Sequence, residues 1–309
     1  MPGDTEHFIS YSTHPTCRIV IDTCSDVNRV VARRLGVDVI EFPFVMADGE
    51  HWDDNWETVS APEFYGRMRG GERVMTSAIP VGRFVEIYET CAEAGTPTLY
   101  LSFTAGLSSS VNDAQQAAAQ VRAAHPDFDL VVIDNRCPSL TASLLAAGAC
   151  ARRDQGMSMH EIADWCSEAC YRIHGYFTLD SLKWLAAGGR IPKAAAGVSA
   201  VLNVKPNLSY DLDGRLTLSG VSRGRKKALR WVVDQLEDKY RGTAVDPVGI
   251  VSADAAADAD VVEEGVRAFF AARGQQCPPV ERMELDPTIG AHVGPGMVAL
   301  AFWGVDRRK

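Results

Sequence analysis

No apolar run in this chain approaches the roughly 20 residues that a membrane-spanning helix needs, and no two of its eight cysteines form a C-x-x-C pair. The first absence argues against an integral membrane segment. The second leaves Cys166 and Cys170, four residues apart in a helical pattern, as the closest approach to a metal-ligand pair. A metal site needs further ligands at matching spacing, so buried free thiols are the expected reading and no metal is expected. Basic residues are also in deficit: 31 Lys and Arg stand against 40 Asp and Glu, a net charge of −9 with a pI near 5.3. Nucleic acid and anionic membrane surfaces are therefore poor general partners. The start, Met1 to His7, is polar, and no apolar stretch of signal-peptide type follows it. A cytoplasmic protein is expected.

What is present is ample material for a core. Hydrophobic residues make up 46% of 309 positions, and at roughly 100–200 residues per domain the length predicts two domains, placed at 1–165 and 166–309. Residues before Cys17 read as a loose leader. Strands are expected at 18–22, 37–45, 97–102 and 130–134, the first and last of them buried. Helices are expected between them at 27–35, 61–69, 80–94 and 111–124, with a buried one at 140–152. The alternation is that of an α/β parallel sheet. A helix at 157–173 carries a capping box, Ser158 with Glu161. Further on, helices are expected at 226–240 and 255–273 and strands at 246–252, 280–285 and 297–303, with 288–296 as a glycine-rich loop.

Two stretches have the chemistry to meet an anion, and a third holds three consecutive serines. Thr76 and Ser77 are adjacent hydroxyls just before a helix, where free amides and the dipole favour negative charge; the alternative is a plain N-cap. Ser108, Ser109 and Ser110 lie between a strand and a helix. His292 stands beside Gly294-Pro295-Gly296; either ring nitrogen of a loop histidine can serve an anion, and the alternative is an ordinary loop residue.

The stretch 176–228 organises the chain. A short amphipathic helix, 179–187, carries Leu179, Leu182 and Leu185 at three-residue steps and stops at Gly188-Gly189. Arg190 follows on the corner, then a small-residue helix over 193–202. A strand over 204–210 contains Pro206, which implies an edge or a bulge. A turn at 211–214 leads to a returning strand over 215–219 and a basic cluster that includes Arg223, Lys226, Lys227 and Arg230.

This run, Leu182-x-x-Leu185-x-x-Gly188-Gly189-Arg190-Ile191, then Asn203-Val204-Lys205-Pro206, Asp213-Gly214-Arg215 and Arg223-Gly224-x-x-Lys227-Ala228, resembles the DegV family of bacterial fatty-acid-binding proteins. The resemblance extends from Ile19 to Trp303, through the Thr76-Ser77 step, Leu107-Ser108 and the histidine before Gly-Pro-Gly. Ser109, Ser110 and Val111 depart from the family's glycine, threonine and tyrosine. The resemblance implies a two-domain DegV-like α/β fold, with a parallel-sheet N-terminal domain and a C-terminal domain built on a mixed sheet. It implies a long-chain fatty acid as ligand, with no cofactor beyond it and no catalysis by the chain itself. The acid's carboxylate would be held by Thr76, Ser77, Ser108, Ser109 and His292, and its chain by an apolar tunnel. Some members serve as the lipid-carrying subunit of fatty acid kinase, so Arg190, Arg223 and Lys226 are the expected docking face for a kinase. For these basic residues the alternatives are capping of helix carbonyls by Arg190 and a solvated helix start. A rival reading makes Ser108 and His292 the core of a serine hydrolase or esterase, although Ser110 replaces the last glycine of the G-x-S-x-G elbow. A phosphate site at Gly294–Gly296 lacks a lysine of P-loop type.

Overall fold

The computed structural model describes residues 7–191, 195 and 203–309. The helix expected over 193–202 lies outside the described residues. The first half builds a five-stranded sheet in the order Phe8–Ile9, Asp38–Ile40, Arg18–Asp22, Thr98–Ser102, Leu130–Asp134. Of its four pairings three run parallel, and the Phe8–Ile9 edge is antiparallel. The expected loose leader therefore contributes a strand, and Phe8 is buried. Apolar residues saturate the central strands because both faces are covered, by Val81–Glu93 and Ser110–Ala124 among other helices.

The second half forms a six-stranded mixed sheet in the order Leu216–Arg223, Val204–Tyr210, Ile173–Thr178, Val298–Trp303, Val248–Ser252, Val280–Glu284. A small third sheet joins Gly49–Trp52, Pro43–Met46 and Met75–Thr76. Between the two large sheets lies the helix Leu140–Asp154, which packs on strands of both. Its buried side chains, among them Leu140, Leu144 and Leu145, belong to a core that continues from Ile19 and Ile21 to Val251 and Met297. One apolar core thus joins the halves, each fully buried Leu or Ile contributing about 1.5–3 kcal/mol.

Several expected boundaries are corrected. The strand over 37–45 is two strands, because after Ile40 the chain leaves the large sheet and re-enters the small one at Pro43. The helix over 157–173 ends at Ala169, and Ile173 opens a central strand that the pattern Ile173-His174-Gly175-Tyr176-Phe177-Thr178 conceals behind a glycine. The helix over 179–187 is only Lys183–Ala187, although Leu179 and Leu182 are buried as their spacing requires. The helix expected from residue 27 starts at Arg29. Asp26 turns its carboxylate inward, and the Asn28 side chain accepts from Val31 N instead. Pro206 is accommodated as expected of a strand proline: the register shifts at Asn207/Leu208, and the second neighbour strand pairs only at those two residues.

Candidate functional site: a cavity between the two sheets

Two strand-end aspartates shape the first wall. Asp22, at the end of its strand, accepts from Phe103 N (2.7 Å) and Tyr100 OH (2.9 Å). Asp134 accepts from Ala105 N (3.2 Å). The loop over 103–109 is thereby pinned to two parallel strands. Burial pushes the Asp22 carboxyl up to about 7. Ser108 Oγ then donates to Ser110 Oγ (3.1 Å), which also accepts from Ile79 N (3.3 Å). Ser110, buried at the first turn of its helix, therefore ties the 103–110 loop to the 76–80 loop. Its part was not legible in sequence, where it counts only as a departure from the glycine-rich elbow.

Thr76 ends the short strand Met75–Thr76, held by Phe44 across the small sheet. The plain N-cap reading of Thr76 and Ser77 does not hold, since Pro80 occupies the cap position of the following helix without a side-chain bond. Thr76 Oγ1 instead lies 2.7 Å from His292 Nε2. His292 is not on a loop as expected. Asp286 caps, and Pro287 opens, a helix that runs to Val293, with Ile289 N donating to Asp286 Oδ1 (2.9 Å). Cap residue and first-position proline are a legible helix start that the flanking glycines mask.

The Gly188-Gly189 corner backs the histidine. A methyl added at Gly188 would lie 2.2 Å from His292 Nδ1, and one at Gly294 would lie 1.9 Å from Trp184 Cδ1. The two glycine-rich motifs are thus bare where each meets the other's aromatic ring. Arg190 bends back so that Nη1 donates to the Gly188 carbonyl (2.6 Å) and Nε to the Leu107 carbonyl (3.3 Å). It caps carbonyls, as one reading had it, and also stands at the cavity rim. Burial, and then the nearby Arg190 charge, pull His292 down to about 4, so the ring is neutral at pH 7.

Thr76, Ser77, Ser108, Ser109 and His292 all line one cavity, and Arg190 joins them. Arg223 and Lys226 are exposed outside it. Their neighbour Arg225 is structural: it pairs with Asp258 (2.8 Å) and donates to the Gly296 carbonyl. Beyond the polar rim the walls are apolar, with Phe103, Leu140, Phe177, Leu185, Val251 and Met297 drawn from both halves. The Ser–His–acid arrangement of a hydrolase is not formed. Ser108 bonds to Ser110, His292 Nε2 bonds to Thr76, and His292 Nδ1 meets no carboxylate among the described residues. Nor, among the described residues, do three or more His, Cys, Asp or Glu side chains gather to hold a metal ion. Cys166 and Cys170 are buried and their thiols are pushed up by desolvation. No helix among the described residues is long and apolar enough to cross a membrane.

Comparison with known proteins matches this architecture throughout. A family model described as an uncharacterised protein of the DegV family matches residues 16–304. A DegV domain-containing protein of Clostridium perfringens is 30% identical over 290 residues, 93% of this chain and 97% of that one. Among solved structures, one on the fatty acid binding of a DegV family protein from Thermus thermophilus superposes with a TM-score of 0.81 at 22% identity, covering 94% of this chain and 100% of that one. A DegV family protein from Eubacterium eligens, loaded with heptadecanoic acid, superposes with a TM-score of 0.79 at 20% identity, covering 93% and 99%. With a family model over nearly its whole length and a relative 30% identical end to end, this chain belongs to the DegV family.

Proposed function

We propose that this protein binds a long-chain fatty acid and carries it without reacting with it. The observation that carries the reading is the Thr76–His292 hydrogen bond at the rim of a cavity whose remaining walls are mostly apolar. Ser108, whose Oγ accepts from Ser110 N, offers a second hydroxyl when its proton turns from Ser110 Oγ to the ligand, with Ser77 and Ser109 beside it. A carboxylate is satisfied there by several neutral donors, in the positive potential of Arg190. Each methylene buried along the apolar walls adds about 0.8 kcal/mol, so the chain supplies affinity while the rim fixes orientation. The fatty acid bound in the structurally similar Eubacterium eligens protein supports the same ligand class here.

The carrier role extends to a partner. With its carboxylate at the rim, the acid is presented to a fatty acid kinase, which docks on Arg190, Arg223 and Lys226 and phosphorylates it. All three side chains are exposed. The reading places the protein in the cytoplasm, with no cofactor and no metal. Calorimetric titration of delipidated protein with hexadecanoic acid tests the binding. Saturable uptake of one acid per chain, lost in His292→Ala, is expected; no uptake by a folded protein overturns it.

A further inference from the structure

Among the described residues, one hydroxyl of the cavity's lining is used by neither the rim nor the protein interior. Of the other hydroxyls along its walls, Ser139 donates to the Asp26 carboxylate and Thr141 to the Pro138 carbonyl. Tyr210 donates to the Ile173 carbonyl (2.8 Å), and Tyr176 is bonded to His174 (3.2 Å). Thr288 is only 6% exposed, lines the same cavity, and its Oγ1 has no hydrogen-bond partner among the described residues. It sits in the first turn of the Pro287–Val293 helix, where no helical carbonyl stands four residues back to take the hydroxyl.

Its place along the cavity follows from the helix. Thr288 and His292 are four residues apart, so they share a face with Cβ atoms about 5–6 Å apart. Arg190 at the His292 end is exposed, whereas the Asp286 end is buried against Asp26, whose carboxylate accepts from Asp286 N (2.9 Å). A chain entering past His292 therefore meets Thr288 next, on the inward path. A plain methylene segment there leaves the hydroxyl unpaired, while a ligand hydroxyl both donates and accepts.

We propose that Thr288 is a second polar station and that it selects acyl chains bearing a hydroxyl on their carboxyl-proximal part. This rests on the fatty-acid reading and specifies the substrate class within it. The test is calorimetric titration of native protein and Thr288→Val, which keeps the side-chain shape, with hexadecanoic acid and a panel of its monohydroxylated isomers. One isomer binds native protein about tenfold more tightly than hexadecanoic acid. In Thr288→Val that preference disappears while hexadecanoic acid binds at least as well as before. Equal binding of all isomers, a preference that survives in Thr288→Val, or a Thr288→Val variant that weakens hexadecanoic acid equally overturns the proposal while leaving the fatty-acid reading intact. Failure of every acid to bind native protein removes both.

Discussion

Thr76 Oγ1 and His292 Nε2 meet at 2.7 Å across 216 residues of chain. One residue ends a strand of the small sheet and the other sits on a helix from the far end of the sequence, so the pair forms only when both halves are assembled. Because desolvation and Arg190 keep the ring neutral at pH 7, one ring nitrogen carries the proton; with that proton on Nε2 and donated to Thr76 Oγ1, the threonine O–H is free to donate to a carboxylate oxygen. Thr76→Val removes that capacity at nearly constant volume. Fatty acid affinity is expected to fall ten- to a hundredfold, the range for a hydrogen bond to a charged group, with a thermal midpoint near that of the native protein. Titration alongside a melting curve checks both.

Gly188 and Gly189 separate sterics from backbone strain. Gly188 has an ordinary φ of −83°, but a methyl there reaches His292 Nδ1. Gly189 has φ +72°, and no atom of the described residues stands within 4 Å of a methyl added there. Gly188→Ala is expected to displace the imidazole and reduce affinity by at least tenfold. Gly189→Ala is expected to cost about 1 kcal/mol of stability and leave affinity within twofold. Denaturant unfolding and ligand titration on the two variants distinguish these effects.

The buried acids predict a stability that falls on the alkaline side. Asp22 is raised to about 7 and Asp53 is raised further, both chiefly by burial. A carboxyl raised on folding keeps a proton that the unfolded chain has released, so its contribution is lost as pH climbs through the folded value. His174 and His292, lowered to about 4, act in the opposite sense below pH 6.5 and leave the range above it undisturbed. Unfolding free energy is expected to drop between pH 6.5 and 8.5, with about 1 kcal/mol from Asp22 alone. Asp22→Asn flattens that slope in urea titrations at the two pH values.

Docking and binding separate at the basic residues. Arg190 lines the cavity and acts on His292, so its reversal disturbs the ligand site as well as any docking face. Arg223 and Lys226 are exposed and outside the cavity. Arg223→Glu with Lys226→Glu is therefore expected to retain fatty acid affinity within twofold and to lose at least tenfold in acyl phosphate formation with an added fatty acid kinase. Unchanged turnover would remove these two residues from the docking face.

The parallel sheet was readable because its strands are buried on both faces and their apolar runs are continuous, as in Ile19-Val20-Ile21. The capping box at Ser158 and the bulge near Pro206 were readable because local chemistry fixes them. The strand Ile173–Thr178 was not, since Gly175 interrupts the pattern. That glycine exists because a methyl there would press on Thr141 and Tyr210, a tertiary demand with no local mark. The helix beneath His292 hid behind Gly290, Gly294 and Gly296, although Asp286-Pro287 announces it. Thr76, Ser77, Ser108, Ser109 and His292 were singled out from hydroxyl and histidine chemistry together with the family resemblance. Thr288 and Ser110 emerge only from which hydroxyls the fold leaves unpaired and which it uses.

The most direct measurement of the carrier reading is the lipid that the protein holds when purified from a bacterial host. Denaturation, solvent extraction and mass spectrometry are expected to release close to one fatty acid per chain, and the Thr76→Ala, Ser108→Ala, His292→Ala triple variant is expected to release none. A folded native protein that yields no fatty acid and takes up none when it is added would contradict the account.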